Sequence, residues 1–301
     1  MIVTIQSHVL TVDIDTLGAQ LASIRTRDGE EYLWQGDPDI WARRAPILFP
    51  FIGRLKDSTY ALQGTPYTIS THGFARDMEF EVVEQTEDTV SFQLTHTPQT
   101  QAVYPFAFTL TVTYSLKGHV LTKTHRVLNR SSRDMFYELG AHDGFRVPVG
   151  EGLTMADYAI RLPGLERVAF YGMDENLMLT PKGEEIPLNS SALPLTPSTF
   201  GLDTMILDTP PQAKAVLCDK AGQPRVALEF PDFPYLGIWT QGKPFDTGYV
   251  CIEPWSTLPD GTFMGRELED KTGIRRLAPG QSEELRYTTI IYEKGVYQHE
   301  A

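Results

Sequence analysis

The sequence predicts a mainly β protein whose strands pair antiparallel, in a large sandwich or a barrel. Two observations carry this. The first is a period of two. Leu10, Val12 and Ile14 alternate with Thr11, Asp13 and Asp15. Phe106, Phe108, Leu110, Val112 and Tyr114 alternate with Ala107, Thr109, Thr111 and Thr113. Successive side chains of a strand point to opposite faces, so such runs read as half-buried strands. The second is the placing of turn pairs between the runs: Asp28-Gly29, Gln63-Gly64, Lys117-Gly118 and Lys182-Gly183. Strand, tight turn, strand is the spacing of antiparallel sheets.

The same alternation returns at residues 90–94 and 285–289, so strands run from one end of the chain to the other. Helix signals are few. The best covers residues 266–271, with Gly273 placed to end it. Residues 180–197 hold four prolines besides Ser190 and Ser191 and read as a long surface loop. Strand-like sequence of similar composition resumes after it, so residues 1–301 are expected to form a single domain. No βαβ alternation and no glycine-rich phosphate loop is present, which leaves nucleotide folds without support.

The chain has 301 residues, 41% hydrophobic and 22% charged, an ordinary globular composition. Acidic residues outnumber basic ones 39 to 26, for a net charge of −13. That balance repels phosphate backbones and anionic lipid, so neither nucleic acid nor a membrane is expected as a partner. Cys218 and Cys251 are the two cysteines and have no C-x-x-C spacing, which suits two core thiols in a reducing compartment. The first ten residues lack a basic segment followed by an apolar core, and the densest apolar stretch, residues 46–53, is too short to span a bilayer. A cytoplasmic protein is the expectation.

Four stretches do not read as plain strand. They are Phe49-Pro50-Phe51-Ile52-Gly53-Arg54, Thr71-His72-Gly73-Phe74-Ala75-Arg76, Gly140-Ala141-His142-Asp143-Gly144-Phe145 and Cys251-Ile252-Glu253-Pro254-Trp255. Each sets a charged or titratable group among aromatic, apolar or glycine residues. A charge so placed needs a partner or a cleft, because burying it alone is costly. Pro254 suggests a strand end with Glu253 at a rim, and Trp255 and Phe145 offer flat apolar surface for a sugar ring. Taken singly, each group also fits a structural or surface role. None of the seven histidines stands in an H-x-x-x-H or H-E-x-x-H spacing, so no metal is expected. There is no G-x-S-x-G elbow of a serine hydrolase.

In these stretches, and in Leu17-Gly18-Ala19-Gln20 and Glu31-Tyr32-Leu33-Trp34 before them, the sequence resembles the aldose 1-epimerase (galactose mutarotase) family, in particular its LacX-type branch. The likeness runs nearly end to end. It implies a galactose mutarotase-like supersandwich with few short helices, and a cofactor-independent isomerase. By position, Glu253 looks like the general base and His142 the general acid. His72 looks like a second histidine near the ring oxygen and Arg54 a ligand of sugar hydroxyls. Asp203, within residues 201–207, is the best match to a hydroxyl-binding aspartate. Arg76 and Trp255 complete the implied substrate-binding set. The chain departs from the branch at Asp143, where proline is common, and at Ser256-Thr257-Leu258.

The implied reaction interconverts the α and β anomers of a free aldohexose of the galactose or glucose type. A carboxylate takes the O1 proton while an imidazolium protonates O5, and the ring opens. The substrate is then a small sugar, and the protein a monomer or homodimer. A hexose-6-phosphate mutarotase is an alternative, with Arg43, Arg44 and Arg76 as phosphate ligands. A non-catalytic carbohydrate-binding module is another. A glycosidase would need two carboxylates, which a Glu–His pair does not supply.

Overall fold

A computed structural model describes residues 1–149, 152–200, 204–241 and 246–293. Two large antiparallel sheets dominate it. One has nine strands, in the order Ala192–Pro194, Tyr158–Arg161, Lys214–Asp219, Pro224–Glu229, Ser282–Ile291, Val120–Asn129, Phe108–Lys117, Thr89–Thr95 and Glu81–Gln85. The other has eight. Its centre is the strand Tyr249–Trp255, flanked on one side by Tyr235–Trp239 and on the other by Gly140–Ala141 and Asp143–Arg146. Ile2–Gln6, Leu10–Asp15 and Gln20–Thr26 form a smaller sheet at the start of the chain.

The alternation read from the sequence becomes the interior of a sandwich. Leu10, Val12 and Ile14 are fully buried, as are Leu110, Val112 and Tyr114. One apolar cluster joins Leu110 and Val112 of the nine-stranded sheet to Leu236, Ile238, Val250 and Ile252 of the eight-stranded one. The expected all-β sandwich is the fold observed. No helix among the described residues is long and apolar enough to cross a membrane.

Two local expectations are overturned. Residues 180–197 are not one loop: they carry the short strands Leu179–Lys182, Ile186–Pro187 and Ala192–Pro194, the last of which edges the nine-stranded sheet. Prolines are tolerated there because an edge strand need not donate on its open side. The expected helix at 266–271 shrinks to a 3-10 turn, Leu268–Asp270. The α-helix that does form, Pro98–Val103, begins with a Thr97–Thr100 capping box and a proline in its first turn. Its single turn and a half is too short to show a hydrophobic period.

The core is not wholly apolar. Lys123 and His125 point inward from the strand Val120–Asn129, between the buried Leu121 and Val127. The Lys123 Nζ lies 3.4 Å from Asp143 Oδ1 on the opposite sheet, and the Tyr287 hydroxyl donates to Asp143 Oδ2. His125 is fully buried and stacks on Tyr287, with ring centroids 6.1 Å apart. Burial, reinforced by the Lys123 ammonium, pushes this imidazole down to about 3. An unfolded histidine takes up its proton near pH ~6.5, which the native core refuses. Stability is therefore intact above that pH and falls by about 1.4 kcal/mol per pH unit below it, per such histidine. We expect the urea midpoint to decline from pH 7 to pH 5. His125→Gln should flatten that decline by one proton's worth of slope, and parallel slopes in the two proteins would refute the assignment.

Candidate active site

The register of the central strand builds the site. Gly140 pairs with Trp255 and Asp143 with Ile252, which sets His142 directly across from Glu253. Pro254 has no N–H to give a ladder, and the neighbouring chain breaks here into two short strands with His142 between them. Along Tyr249–Trp255, Val250 and Ile252 face the sandwich core, while Tyr249, Cys251, Glu253 and Trp255 face away from it. Both faces are covered, so all seven residues are buried and no alternation was visible in the sequence. The expected strand end at Glu253 is thus corrected: the carboxylate stands in mid-strand, 1% exposed.

On that outer face lies a cavity of about 300 Å³. Arg54, His72, Arg76, His142, Glu253 and Trp255 all line it, so every implied site residue within the described chain converges there. Asp203 lies outside the described residues; Thr204, which follows it, is on the cavity wall. Phe145 does not join them. It faces the sandwich core and is fully buried there, one residue out of phase with the cavity face.

His142 Nε2 is 3.4 Å from Glu253 Oε1. Burial pushes the His142 imidazole down to about 3, with the Arg76 and Arg43 cations adding to the shift against a hydrogen bond to its own backbone. His142 is therefore neutral at pH 7, in place of the imidazolium that the resemblance implies. His72 is likewise held well below its usual value, by burial and then by His142 and the two arginines. Its tautomer is fixed: Gly53 N–H donates to Nδ1 at 3.0 Å, so the ring proton sits on Nε2. The His72 backbone is left-handed (φ 64°) and its N–H donates back to Gly53 O at 2.8 Å, which locks the two loops together.

Two aromatic walls were missed in the sequence. Trp41 stacks on the His142 ring at 5.1 Å, and Trp239 meets it edge-on at 5.5 Å. Trp239 follows Gly237 on one strand face, and the absence of a side chain there was the available signal. A Cβ on Gly237 would come within 2.7 Å of the Trp255 ring, and one on Gly140 within 2.9 Å, so the indole lies flat across two bare backbones. Its Nε1 finds no hydrogen-bond partner among the described residues.

Three guanidiniums reach the cavity. Arg43 pairs with Asp77 at 2.8 Å, and Arg76 approaches the same carboxylate at 3.6 Å while donating to Thr71 O at 2.7 Å. Arg54 is exposed at the rim, with no ion-pair partner among the described residues. Its loop is tied down from beneath. Ile52 N–H donates to Glu138 Oε2 at 2.7 Å, and Lys56 N–H to Asp260 Oδ2 at 3.1 Å. Lys271 bridges those two buried carboxylates. Burial alone would lower the Lys271 ammonium, but Glu138 and Asp260 reverse that and raise it, so it stays charged.

The chain is similar to known proteins over nearly its whole length. The sequence profile of the aldose 1-epimerase family matches residues 1–273. The chromosomal protein LacX of Lactococcus lactis is 31% identical over 299 residues, covering 97% of this chain and 99% of its own. A galactose mutarotase related enzyme of Lactobacillus acidophilus superimposes with a TM-score of 0.91 at 31% identity, over 97% of this chain and 98% of that one. A galactose mutarotase-like protein of Lactobacillus casei gives 0.90 at 30% identity, over 97% and 100%.

Removing Lys271 would leave two carboxylates buried without their cation. Breaking such a group typically costs about 3–5 kcal/mol. Lys271→Met should lower the unfolding free energy by that order in urea, and adding Glu138→Gln and Asp260→Asn should recover part of it. A neutral Lys271→Met would show that the bridge contributes nothing.

Proposed function

The chain belongs to the aldose 1-epimerase family, and on that premise we propose that it interconverts the anomers of a free aldohexose at the Glu253–His142 pair. The observation that carries the reading is the cross-strand contact itself: a carboxylate and an imidazole 3.4 Å apart on the floor of one aromatic-walled cavity. At about 300 Å³ the cavity is at the small end of ligand pockets, which suits one sugar ring.

Anomer exchange needs a base at O1 and an acid at O5, so the reactive form pairs the Glu253 carboxylate with a His142 imidazolium, its proton taken up from solvent as the sugar binds. Glu253 takes the O1 proton as His142 delivers one to O5, and the ring opens to the aldehyde. Rotation about C1–C2 presents the other carbonyl face, and the two groups exchange roles as the ring closes. The burial that keeps His142 neutral at rest also makes its protonated form a stronger acid toward the weakly basic ring oxygen. His72 Nε2–H is a fixed donor for a sugar oxygen, and Arg54 and Arg76 supply further donors to hydroxyls. Asp203 keeps its implied hydroxyl-binding role on resemblance alone. On the same reading the protein is a cytoplasmic, single-domain monomer or homodimer that uses no cofactor.

Arg43, Arg54 and Arg76 line the cavity and favour a second reading, a sugar carrying a 6-phosphate. Arg44, expected as a phosphate ligand, is not on the cavity lining and donates to Gln35 O and Ala22 O. Asp77 offsets part of that charge by holding Arg43 and Arg76, which keeps the free sugar first. Polarimetry over glucose, galactose and glucose 6-phosphate separates the two readings by turnover.

Glu253→Gln keeps the shape and removes the base. It should slow mutarotation by about 10²–10⁴ while leaving sugar affinity within a few-fold. An unchanged polarimetric rate in that variant would exclude the role.

A further inference from the structure

Cys251 stands on the same strand face as Glu253, two residues before it, and is fully buried. Acid–base exchange gives its thiol no part. Yet one ligand atom from each of His142, Cys251 and Glu253 lies within 4.8 Å of the other two, a grouping of three metal-type donors among the described residues. Histidine spacing could not reveal it, because the donors come from two paired strands. We propose that these three residues form a binding site for a soft divalent cation of the zinc class, and that the ion silences the enzyme by occupying its acid and base.

Geometry and chemistry agree. Two ligands of one tetrahedral zinc, each bonded at about 2.0–2.1 Å, stand roughly 3.3–3.4 Å apart. The His142 Nε2 to Glu253 Oε1 separation is 3.4 Å. A thiolate bonds at about 2.3 Å and belongs roughly 3.5 Å from the other donors, so from the 4.8 Å limit of the grouping Sγ has to close by about 1.3 Å at most. One thiolate and one carboxylate neutralise a dication, while the imidazole binds uncharged. The complex carries no net charge, which matters in a buried place that already faces Arg43 and Arg76. The thiol proton leaves to solvent as the bond forms. Three protein ligands leave a fourth position for water or a sugar hydroxyl. With Oε1 on the metal and its charge neutralised there, Glu253 is no longer a base for the O1 proton, and His142, bonded through Nε2, cannot carry one to O5.

The inhibitory consequence rests on the acid–base reading above; the binding site itself does not. The test uses the untagged full chain, stripped with chelator. Zn²⁺ is titrated by calorimetry, Cd²⁺ by the ultraviolet charge-transfer absorbance of its thiolate bond, and mutarotation by polarimetry. We expect one equivalent of metal, a cadmium–thiolate band, and mutarotation that is lost on loading and restored by chelator. Cys251→Ala should abolish the band, weaken binding at least about tenfold and keep mutarotation in the presence of Zn²⁺. Cys251→Ser serves the same purpose if the alanine variant does not fold, and Cys218→Ala should keep the band. No band in the parent protein, or equal inhibition of the Cys251 variants, overturns the proposal. A band that depends on Cys251 in a chain without mutarotase activity supports the site and removes only the functional reading. Mutarotation untouched by one bound equivalent removes the inhibition and leaves that reading standing.

Discussion

Everything at the site depends on one cross-strand register. The ladder that pairs Gly140 with Trp255 and Asp143 with Ile252 allows His142 a single position, opposite Glu253. A slip of the Gly140–Arg146 segment by one residue would turn His142 into the sandwich core and bring Asp143 out beside Glu253. Pro254 interrupts hydrogen bonding at that point, which frees the facing chain to carry a histidine between two short strands. The pair is set by the sheet itself, the most rigid element available, and the loops only furnish the walls.

Two buried ionic groups brace that register from different sides. Beneath His142, Asp143 meets Lys123 and Tyr287 across the sandwich, so the strand that carries the histidine is tied to the opposite sheet through the core. Beside it, Lys271 joins Glu138 to Asp260, whose other oxygens receive backbone N–H groups on either side of Arg54. Apolar packing would have filled either space with less desolvation cost. What the ions add is direction: each carboxylate has one arrangement that satisfies it, and that arrangement fixes a segment of the cavity lining. The same low-dielectric surroundings keep His142 and His72 neutral at rest and make any proton placed there ready to move.

How much of this was legible in the sequence differs between levels. The sandwich was, because half-buried strands such as Leu10–Asp15 and Phe108–Lys117 print their burial as alternation. The strand that carries Glu253 was not, since both of its faces are covered and Pro254 looked like an end. The polar residues at the cavity were legible only as short stretches that resembled a family; nothing in their spacing says that residues 54, 72, 142 and 253 meet. Trp239 escaped because an aromatic in a strand is ordinary, Trp41 because it lies in an irregular segment before Ile47–Leu48, and Phe145 misled because one step along a strand exchanges cavity for core. Cys251 read correctly as a buried thiol, but its neighbours across the ladder exist only in three dimensions.

The claim that Glu253 and His142 act on one proton as a unit is tested most directly by a double-mutant cycle. The rate to follow is exchange between the α and β anomeric protons of the sugar in magnetisation-transfer NMR, with Glu253→Gln, His142→Gln and the pair together. If the two groups form one device, each single variant falls to nearly the same floor and the double variant lies no lower. Losses that multiply in the double variant would show two independent contributions, and would contradict the paired mechanism.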